Sequence, residues 1–315
     1  MALPAKIATV TLNPAIDQTV EIAGFTAGGV NRVESMRVDA GGKGVNVAAF
    51  LADYGFTVTA TGFLGNENAQ PFENFFREKK IADRFVRING STRTGIKIVD
   101  PLRQETTDIN FPGIAPAGED IQALFDEIDK LAADHSWFVL AGSIPSGAPP
   151  TIYADLIRNL TARGCRAALD TSGEALSRAL EAAPALIKPN IDELEACLGR
   201  RLEGRDEVLA AARRLLDRGI ETVVVSMGAE GALFVAGDGA VQAVPPPLRV
   251  VSTVGAGDAL LSGTLAAGIE RRDPADAARL ATAFAVVAVT RIGAGLPADV
   301  KLEEIAAGVG VKKIP

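Results

Sequence analysis

The chain has 315 residues, of which 48% are hydrophobic, so it is long enough to bury a large core in one α/β domain. A formal net charge of −7 argues against nucleic acid and against an anionic membrane surface as the main partner. Two cysteines far apart in the sequence, and an N-terminal segment without a long apolar run, predict a cytoplasmic protein with reduced thiols and no signal peptide.

Short apolar runs rich in β-branched residues alternate with helical patterns over most of the chain. The predicted strands span 6–12, 57–65, 137–143, 166–170, 185–190 and 221–228, and the predicted helices span 44–55, 68–80, 150–164, 191–199 and 205–219. A hairpin-like stretch at 231–245 and two C-terminal helices follow. Strands separated by helices indicate βαβ units, which predicts an α/β fold with a mostly parallel sheet and helices on both faces.

Two stretches, 19–39 and 92–113, interrupt this alternation with apolar residues at every second position and with turn residues. We expect them to form strands of a small second sheet, inserted twice into the α/β core. Ligands of open α/β sheets bind at the carboxyl ends of the strands, so a flap at that edge would act as a lid. The sequence has no linker long enough to separate domains, and residues 1–315 are expected to form a single domain.

The first polar motif, "NPAID" (13–17), follows the first predicted strand. Asn13 and Pro14 end that strand and place Asp17 beyond its carboxyl end, where a ligand would bind. An ordinary turn containing Asn, Pro and Asp explains the motif equally well.

A glycine-rich turn, "AGGKGVNVA" (40–48), leads into the first predicted helix. It lacks the GxxxxGK[ST] spacing of a Walker A loop. The GxGxxG of a dinucleotide-binding turn is absent too, which counts against a dinucleotide-dependent oxidoreductase. Gly41 and Gly42 permit a ligand to approach the backbone closely, and Lys43 and Asn46 can face a polar ligand. Glycine-rich turns between a strand and a helix are also common where no ligand binds.

The motif "KPNIDELEA" (188–196) places Asn190 and Glu193 on one face at the start of a helix. A carboxamide and a carboxylate in this arrangement can hold a hydrated magnesium ion. The pair also matches a capping box, in which the two side chains satisfy free N–H groups of the helix. The sequence alone leaves both interpretations open.

A further loop, in "VSMGAEGALF" (225–234), is bounded by Gly228 and Gly231 and follows a predicted strand. Bare glycine backbone suits the approach of a purine or a ribose. An ordinary hairpin would use the same residues.

The stretch "VSTVGAGDALLSG" (251–263) places Asp258 at the start of an apolar helix, directly after Gly255, Ala256 and Gly257. One interpretation is a capping aspartate, which contributes about 1 kcal/mol. The other is an anion hole, in which bare backbone N–H groups at the helix start hold a phosphate beside a carboxylate base.

Seven motifs cover nearly the whole chain in one order: "TLNPAID", "GGKGVNVA", "GFLG", "AGSIPSG", "KPNIDELE", "SMGAEGAL" and "VSTVGAGDA". Together they resemble the ribokinase/PfkB family of sugar kinases. The resemblance implies a ribokinase-like α/β fold with a β-sheet lid, and an ATP-dependent, magnesium-requiring phosphotransferase that acts on an alcohol group.

Within that family, "TLNPAID", "RTGIKI", "NFPG" and "VSTVGAGD" look most like the branch that converts D-fructose 1-phosphate to fructose 1,6-bisphosphate. Branches that act on tagatose 6-phosphate or fructose 6-phosphate are the alternatives. A catalytically inactive sugar-phosphate sensor on the same fold is another, and the intact Asp258 with its Gly-Ala-Gly turn counts against it.

The resemblance also implies roles for individual residues. Asp258 is the implied catalytic base, and the implied anion hole consists of Gly255, Ala256 and Gly257. The sugar phosphate is implied to contact Asp17, Gly41, Gly42, Lys43, Asn46, Arg93 and Arg32, with Asp17 and Asn46 on sugar hydroxyls and Arg93 on the phosphate. ATP is implied to contact Lys188, Asn190, Ser226, Gly228, Gly231 and Gly257, and Mg²⁺ to be organised by Glu193 and Asn190.

Three features complete the expectations. Gly95 stands two residues after Arg93, where the resemblance leads us to expect asparagine, which puts a phosphate or hydroxyl contact there in doubt. The single histidine, His135, is expected at the surface or as a cap, which excludes a His-based mechanism or a His-rich metal site. Exposed edges of the lid strands favour a homodimer formed through the lid.

Overall fold

The computed structural model describes residues 5–237 and 239–314. In that part of the chain no helix combines the length and the apolar character needed to cross a membrane. The strands are β1 (Lys6–Thr11), β2 (Ala15–Glu21), β3 (Ser35–Gly41), β4 (Thr57–Gly65), β5 (Ala82–Asp83), β6 (Val86–Ile88), β7 (Thr94–Asp100), β8 (Glu105–Asn110), β9 (Trp137–Ala141), β10 (Arg166–Asp170), β11 (Leu186–Ile187), β12 (Thr222–Ser226), β13 (Ala232–Ala236), β14 (Gly239–Val244) and β15 (Gly310–Ile314).

The α-helices surround these strands on both sides of the larger sheet. They are α1 (Lys43–Tyr54), α2 (Gln70–Lys79), α3 (Gly118–Leu131), α4 (Ile152–Ala162), α5 (Gly173–Ala179), α6 (Ile191–Leu198), α7 (Gly204–Leu216), α8 (Ala256–Ile269), α9 (Pro274–Val289) and α10 (Leu302–Ala307).

The large sheet has the strand order β15-β14-β13-β12-β11-β10-β9-β1-β4-β5, and β6 pairs with β4. The strands from β12 through β1 to β5 run parallel to their neighbours. Beyond β12, the strands β13, β14 and β15 are antiparallel. The prediction of a mostly parallel sheet is confirmed, and the predicted hairpin is the pair β13 and β14.

Two hydrophobic cores lie on the two faces of this sheet. Along β1, Ile7 packs into the first core, whereas Ala8 and Val10 pack into the second, because successive residues of a strand face opposite sides. The helices α1, α2, α8 and α9 cover the first face, and α3, α4, α5 and α7 cover the second. The predicted arrangement of helices on both faces is therefore confirmed.

The second sheet has four strands in the order β3-β2-β7-β8. β2 is antiparallel to β3 and parallel to β7, and β7 is antiparallel to β8. These strands come from the two stretches expected to form a small sheet, although β2 already begins at Ala15 and β3 continues to Gly41. Because β3 ends where α1 begins, the sheet is joined directly to the polar turn at residues 41–43.

Several elements fall outside the predicted ones. Residues 118–131 form α3, and their apolar positions do repeat with helical spacing, so the sequence contains the signal for this helix. α5 has seven residues and is too short for periodicity to reveal. The expectation that two helices close the chain is wrong: α10 and β15 follow them, and β15 pairs with β14.

His135 is buried, with 6% of its surface exposed, so the expectation of a surface or capping residue is wrong. Its Nε2 lies 2.9 Å from Oγ1 of Thr59, and its Nδ1 lies 3.0 Å from the carbonyl oxygen of Leu131. A buried imidazole is stable here because both ring nitrogens have partners.

Candidate active site

A polar cleft of about 400 Å³ lies between the carboxyl ends of the large-sheet strands and the small sheet. Three strand ends contribute to it: Asp170 is the last residue of β10, Lys188 follows β11, and Ser226 ends β12. The lining residues are Ala15, Asp17, Gly42, Lys43, Asn46, Arg93, Lys97, Asn110, Asp170, Lys188, Asn190, Glu193, Ser226, Val254, Gly255, Gly257 and Asp258. The cleft thus contains most of the residues that the sequence singles out.

The N-terminus of α8 forms one wall of the cleft. Gly255 is its N-cap with φ of 80°, a left-handed conformation that favours glycine. A Cβ atom at Gly257 would lie 3.0 Å from Nζ of Lys188, so a larger residue there would crowd that ammonium. Ala256, Gly257 and Asp258 form the first turn, in which backbone N–H groups lack intrahelical partners. The N–H of Ala256 donates to the carbonyl oxygen of Thr253 at 3.3 Å, so those of Gly257 and Asp258 are the more open to a ligand. This geometry suits an anion.

Asp258, the third residue of α8, is buried, with 5% of its surface exposed. Burial and, after it, the charge of the nearby Asp170 carboxylate raise the pKa of its carboxyl group to about 6. Nδ2 of Asn46 donates a hydrogen bond of 2.7 Å to its Oδ2, which opposes the rise. A carboxylate with this pKa can accept a proton near neutral pH.

Asp170, a residue that the sequence interpretation did not single out, lies next to this base. Its Oδ1 is 2.9 Å from Nζ of Lys43, and its Oδ2 is 3.4 Å from Nζ of Lys188. Burial opposes ionisation of Asp170, but the two ammonium groups outweigh it and lower its pKa. For Lys43, burial is likewise outweighed by Asp170, and its pKa is raised. Asp170 therefore stays ionised and holds both lysines at the cleft.

Asn190 and Glu193 form a complete capping box at the start of α6. The backbone N–H of Glu193 donates to Oδ1 of Asn190 at 2.7 Å, and the backbone N–H of Asn190 donates to Oε2 of Glu193 at 2.9 Å. The capping interpretation of this motif is thus present in the structure. Both residues also line the cleft, and the cap leaves Oε1 of Glu193 outside its hydrogen bonds.

Asp17 lies on β2 at the opposite wall of the cleft. The prediction placed it in the chain after β1, and the structure places it in the second strand of the small sheet. Its Oδ2 forms an ion pair with Nζ of Lys97 on β7. Gly95 on β7 is its cross-strand partner, and Gly41 on β3 pairs with Ala15, two residues before Asp17.

Arg93 precedes β7 and lines the cleft. Its Nη1 donates to Oδ1 of Asn110 at 3.2 Å, and its Nε lies 3.5 Å from the carbonyl oxygen of Asn13. Burial lowers the pKa of its guanidinium group, whereas the charge of Asp17 raises it. An arginine remains charged in spite of such a shift. Arg32, in the exposed loop between β2 and β3, does not line the cleft, so the structure does not bring it to the other predicted residues.

A second, largely apolar pocket of about 700 Å³ adjoins the cleft. The predicted residues Ser226, Gly228, Gly231 and Gly257 line it, together with Ala256. Ser226 and Gly257 line both cavities, so the two adjoin at these residues. Gly231 is required there because a Cβ atom would lie 1.9 Å from the carbonyl oxygen of Ala243. Lys188 and Asn190, predicted with this group, line the polar cleft instead.

The polar or charged cleft residues missed by the sequence interpretation are Asp170, Lys97 and Asn110. Asp170 could have been predicted from the sequence, because it is the last residue of a buried strand of the parallel sheet. Asn13 and Lys188 occupy comparable positions just after β1 and β11. Lys97 and Asn110 lie on β7 and β8, and their positions depend on strand register, which a single sequence does not specify.

The sequence model of the family described as "pfkB family carbohydrate kinase" matches residues 10–301, which is most of the chain. This chain belongs to that family. Membership confirms the resemblance found in the motifs, and it makes the chain a kinase that uses ATP to phosphorylate a carbohydrate. The family typically requires a divalent metal ion.

Known proteins similar to this carbohydrate kinase include a 1-phosphofructokinase of Rhodobacter capsulatus, which is 49% identical over 311 residues, 98% of each chain. Phosphofructokinase-2 from Escherichia coli in complex with fructose-6-phosphate has a TM-score of 0.89 and 28% identity, covering 96% of this chain and 98% of that chain. The tetrameric inhibited form of that enzyme has a TM-score of 0.87, with 28% identity and the same coverage. The predicted ribokinase-like fold is thereby confirmed.

Proposed function

We propose that this kinase phosphorylates D-fructose 1-phosphate with ATP, giving D-fructose 1,6-bisphosphate and ADP. One observation carries the proposal: a single cleft contains a buried carboxylate with a pKa of about 6 beside a helix N-terminus, and it also contains Arg93. The carboxylate and the helix N-terminus suit phosphoryl transfer, and the arginine suits a substrate that already carries a phosphate. The 49% identity to a protein named 1-phosphofructokinase supports the choice of sugar.

Asp258 acts as the general base in this proposal. Its carboxylate accepts the proton of the attacking C6 hydroxyl group while the sugar oxygen bonds to the γ-phosphorus and the bond from that phosphorus to the ADP oxygen breaks. The proton then passes to solvent. The backbone N–H of Gly257 stabilises the charge on the transferred group, and that of Ala256 would share its bond to Thr253 with this group. Such stabilisation matters because the transition state is loose and requires positioning more than covalent chemistry.

The sugar phosphate occupies the polar cleft in this proposal. Asp17 and Asn46 bind its hydroxyl groups, and Arg93 binds its own phosphate, with Lys43 assisting. Gly42 lets the substrate approach the backbone, and Gly41, which does not line the cleft, leaves space for Asp17. Arg93 and Lys43 supply positive charge locally in a protein whose net charge is −7. Arg32 is omitted because it lies outside the cleft.

ATP occupies the apolar pocket with its base, and its phosphates reach the cleft past Ser226 and Gly257. The pocket volume of about 700 Å³ and its apolar lining fit a purine and ribose. Gly228 and Gly231 leave backbone open beside it. Lys188, held by Asp170 next to Gly257, contacts the phosphates.

We assign the divalent metal as Mg²⁺, organised by Glu193 and Asn190. The donor set fits, because carboxylate and amide oxygens are ligands that Mg²⁺ accepts. In the described residues, no group of three or more His, Cys, Asp or Glu is arranged to hold a metal directly. Most ligands would therefore be water and phosphate oxygens, an arrangement that Mg²⁺ commonly adopts. When bound, the ion would neutralise charge on the phosphates.

We also propose that residues 1–315 form one kinase domain, with the small sheet as its lid. Two copies of the chain associate through this lid. Large apolar side chains on this sheet are exposed: Met36 by 62%, Val38 by 45%, Ile109 by 45% and Phe111 by 48%. Exposed apolar side chains on a sheet whose edge strands β3 and β8 are unpaired favour association of two copies of the chain. In analytical ultracentrifugation we expect a dimer, and Met36→Glu should shift it to monomer. A wild-type monomer at micromolar concentration would contradict the proposal.

A cytoplasmic location is proposed as well. Both cysteines, Cys165 and Cys197, are free thiols in the structure, as expected in a reducing compartment.

A coupled assay of ADP release tests the function. Wild-type protein is compared on fructose 1-phosphate, fructose 6-phosphate and tagatose 6-phosphate at equal concentrations. The proposal expects the highest kcat/KM on fructose 1-phosphate. A higher value on either of the other sugars would overturn the substrate assignment, and no ADP release on any of them would favour an inactive sensor.

A further inference from the structure

Asp17 lies in a slot between two glycines on neighbouring strands. A Cβ atom at Gly95 would lie 2.6 Å from Oδ1 of Asp17, and a Cβ atom at Gly41 would lie 2.5 Å from Oδ2. Any other residue at either position would displace the carboxylate. The backbone does not demand glycine there, because neither residue has a positive φ. The two glycines are therefore explained by the space that they leave for Asp17.

Lys97 closes this slot on β7. Its Nζ forms an ion pair with Oδ2 of Asp17, and the side chains are only 18% and 22% exposed. Gly95 and Lys97 are two residues apart on the same strand and face the same side. The carboxylate of Asp17 thus places Oδ1 against Gly95, and Oδ2 against Gly41 and the ammonium of Lys97.

Asn110 lies on the other side of Gly95. It is the cross-strand partner of Gly95 on β8, and its Oδ1 would be 3.7 Å from a Cβ atom at that position. The same Oδ1 accepts the hydrogen bond from Arg93. The space above Gly95 is therefore surrounded by polar side chains: Asp17, Lys97, Arg93 and Asn110.

We propose that Lys97 is a positioning residue, which holds the carboxylate of Asp17 in the slot between Gly41 and Gly95 and so orients it for the hydroxyl groups of the acceptor sugar. The inference rests on the proposed role of Asp17 in binding that sugar. A half-buried, charge-assisted contact restricts the carboxylate to one orientation, which a solvated pair would not do. Lys97 acts through Asp17 in this arrangement, and acceptor binding depends on it more than ATP binding does.

Kinetics on two variants test the inference, using the ketohexose phosphate that wild-type protein phosphorylates best. Lys97→Met should raise KM for that acceptor by roughly 10- to 100-fold, the range for a lost charge-assisted bond, and leave KM for ATP within about 2-fold. Lys97→Arg keeps a cation and should recover most of the loss. The matched control is Lys312→Met, an exposed lysine on β15, which should behave as wild type. An acceptor KM unchanged in Lys97→Met would overturn the inference.

Gly95→Ala tests whether acceptor binding needs the space that Gly95 leaves for Asp17. The added methyl group displaces Asp17, so acceptor KM should rise by a factor similar to that of Lys97→Met while the protein stays folded. Gly268→Ala is the control, since a Cβ atom there would meet nothing within 4 Å. Wild-type acceptor KM in Gly95→Ala would overturn the proposed slot.

A double-mutant cycle separates positioning from direct contact with the substrate. In an Asp17→Asn background, Lys97→Met should add less than about 3-fold to the acceptor KM. A full additional loss would mean that Lys97 binds the substrate itself, which overturns the positioning role.

A crystal structure of unliganded Lys97→Met gives a result that does not depend on activity. We expect the Asp17 carboxylate to leave its position over Gly95. An unmoved carboxylate would overturn the inference even if wild-type protein phosphorylates fructose 1-phosphate. A displaced carboxylate in a protein that accepts a different sugar would overturn the proposed substrate and leave the inference supported.

Discussion

Asn46 on α1 donates a hydrogen bond of 2.7 Å to the buried carboxylate of Asp258 on α8, across 212 positions of sequence. The bond favours the ionised form of Asp258, and burial opposes that form. Burial and the Asp170 carboxylate together outweigh the hydrogen bond, and the pKa is raised to about 6. This contact joins the glycine-rich turn to the helix that carries the proposed base.

The first prediction concerns pH. Asp258 must be deprotonated to act as a base, so kcat/KM should fall as the pH decreases below about 6. In Asn46→Ala, loss of the hydrogen bond should raise the pKa of Asp258 and move this limb of the profile to higher pH. The measurement is a pH profile of kcat/KM for wild type and variant. A limb at the same pH in both proteins would show that Asn46 does not tune the base.

The second prediction concerns Asp258→Asn. The substitution keeps the shape of the side chain and removes the base, so turnover should fall by about 10² or more. Steady-state kinetics at pH 7.5 measure the loss. Asp276→Asn, in the exposed first turn of α9, is a control in which turnover should not change. Turnover within a few-fold of wild type in Asp258→Asn would reduce Asp258 to a structural role.

The same variant should be more stable than wild type. Because the pKa of Asp258 is raised from 3.8 to about 6, the folded chain keeps a proton that the unfolded chain loses between these values. Wild-type stability therefore falls as the pH rises through that window, and the penalty is complete above about pH 6. At pH 7.5 the gain in Asp258→Asn is at most about 3 kcal/mol, at 1.36 kcal/mol for each unit of pKa. Chemical denaturation at pH 7.5 and pH 4 measures it, and the difference should shrink at the lower pH.

The third prediction concerns Glu193→Gln. Glutamine can still accept the capping hydrogen bond from the backbone of Asn190, so the free energy of unfolding should change little. Loss of the charge should raise the Mg²⁺ concentration needed for half-maximal rate. A titration of rate against Mg²⁺ measures this.

The control for Glu193→Gln is Asp120→Asn, since Asp120 accepts the same kind of bond at 2.7 Å at the start of α3. That variant should keep the wild-type Mg²⁺ dependence. If Glu193→Gln lost thermal stability and kept its Mg²⁺ dependence, capping would be its whole role.

The fourth prediction concerns Arg93. Arg93→Ala should raise KM for the sugar phosphate strongly and lower kcat/KM by roughly 10- to 100-fold, with little change in KM for ATP. Arg93→Lys should recover only part of the loss, since an ammonium cannot reproduce paired N–H bonds to a phosphate. Arg158→Ala, an exposed arginine on α4, is the control. If the loss appeared in KM for ATP instead, Arg93 would not bind the substrate phosphate.

The sequence predicts those parts of the site that lie in glycine-rich turns or at helix starts. Asp258 is found after a glycine-rich turn at the start of α8, and Asn190 is found after a strand of the parallel sheet at the start of α6. The alternation of strands and helices likewise predicts the sheet and its two helical layers, because buried parallel strands are continuous apolar runs.

Contacts that depend on register could not be predicted. Lys97 reaches Asp17 because β7 pairs in parallel with β2 at one register, and a shift by one residue would turn its side chain to the other face. The pairing of Asn46 with Asp258 depends on the packing of two helices that are distant in sequence. Arg32 has the right charge for the cleft, but its loop lies outside it.

The two cavities meet at Ser226 and Gly257, so one molecule can occupy both. Consider a molecule in which a short polyphosphate chain joins a nucleoside to a sugar phosphate. Once the nucleoside is bound in the apolar pocket, the chain holds the sugar phosphate close to the polar cleft. Such tethering raises the effective local concentration to millimolar values with a suitable linker, and the linked molecule binds far more tightly than either half. The linker length that gives the highest affinity would therefore report the distance between the two binding positions at Ser226 and Gly257.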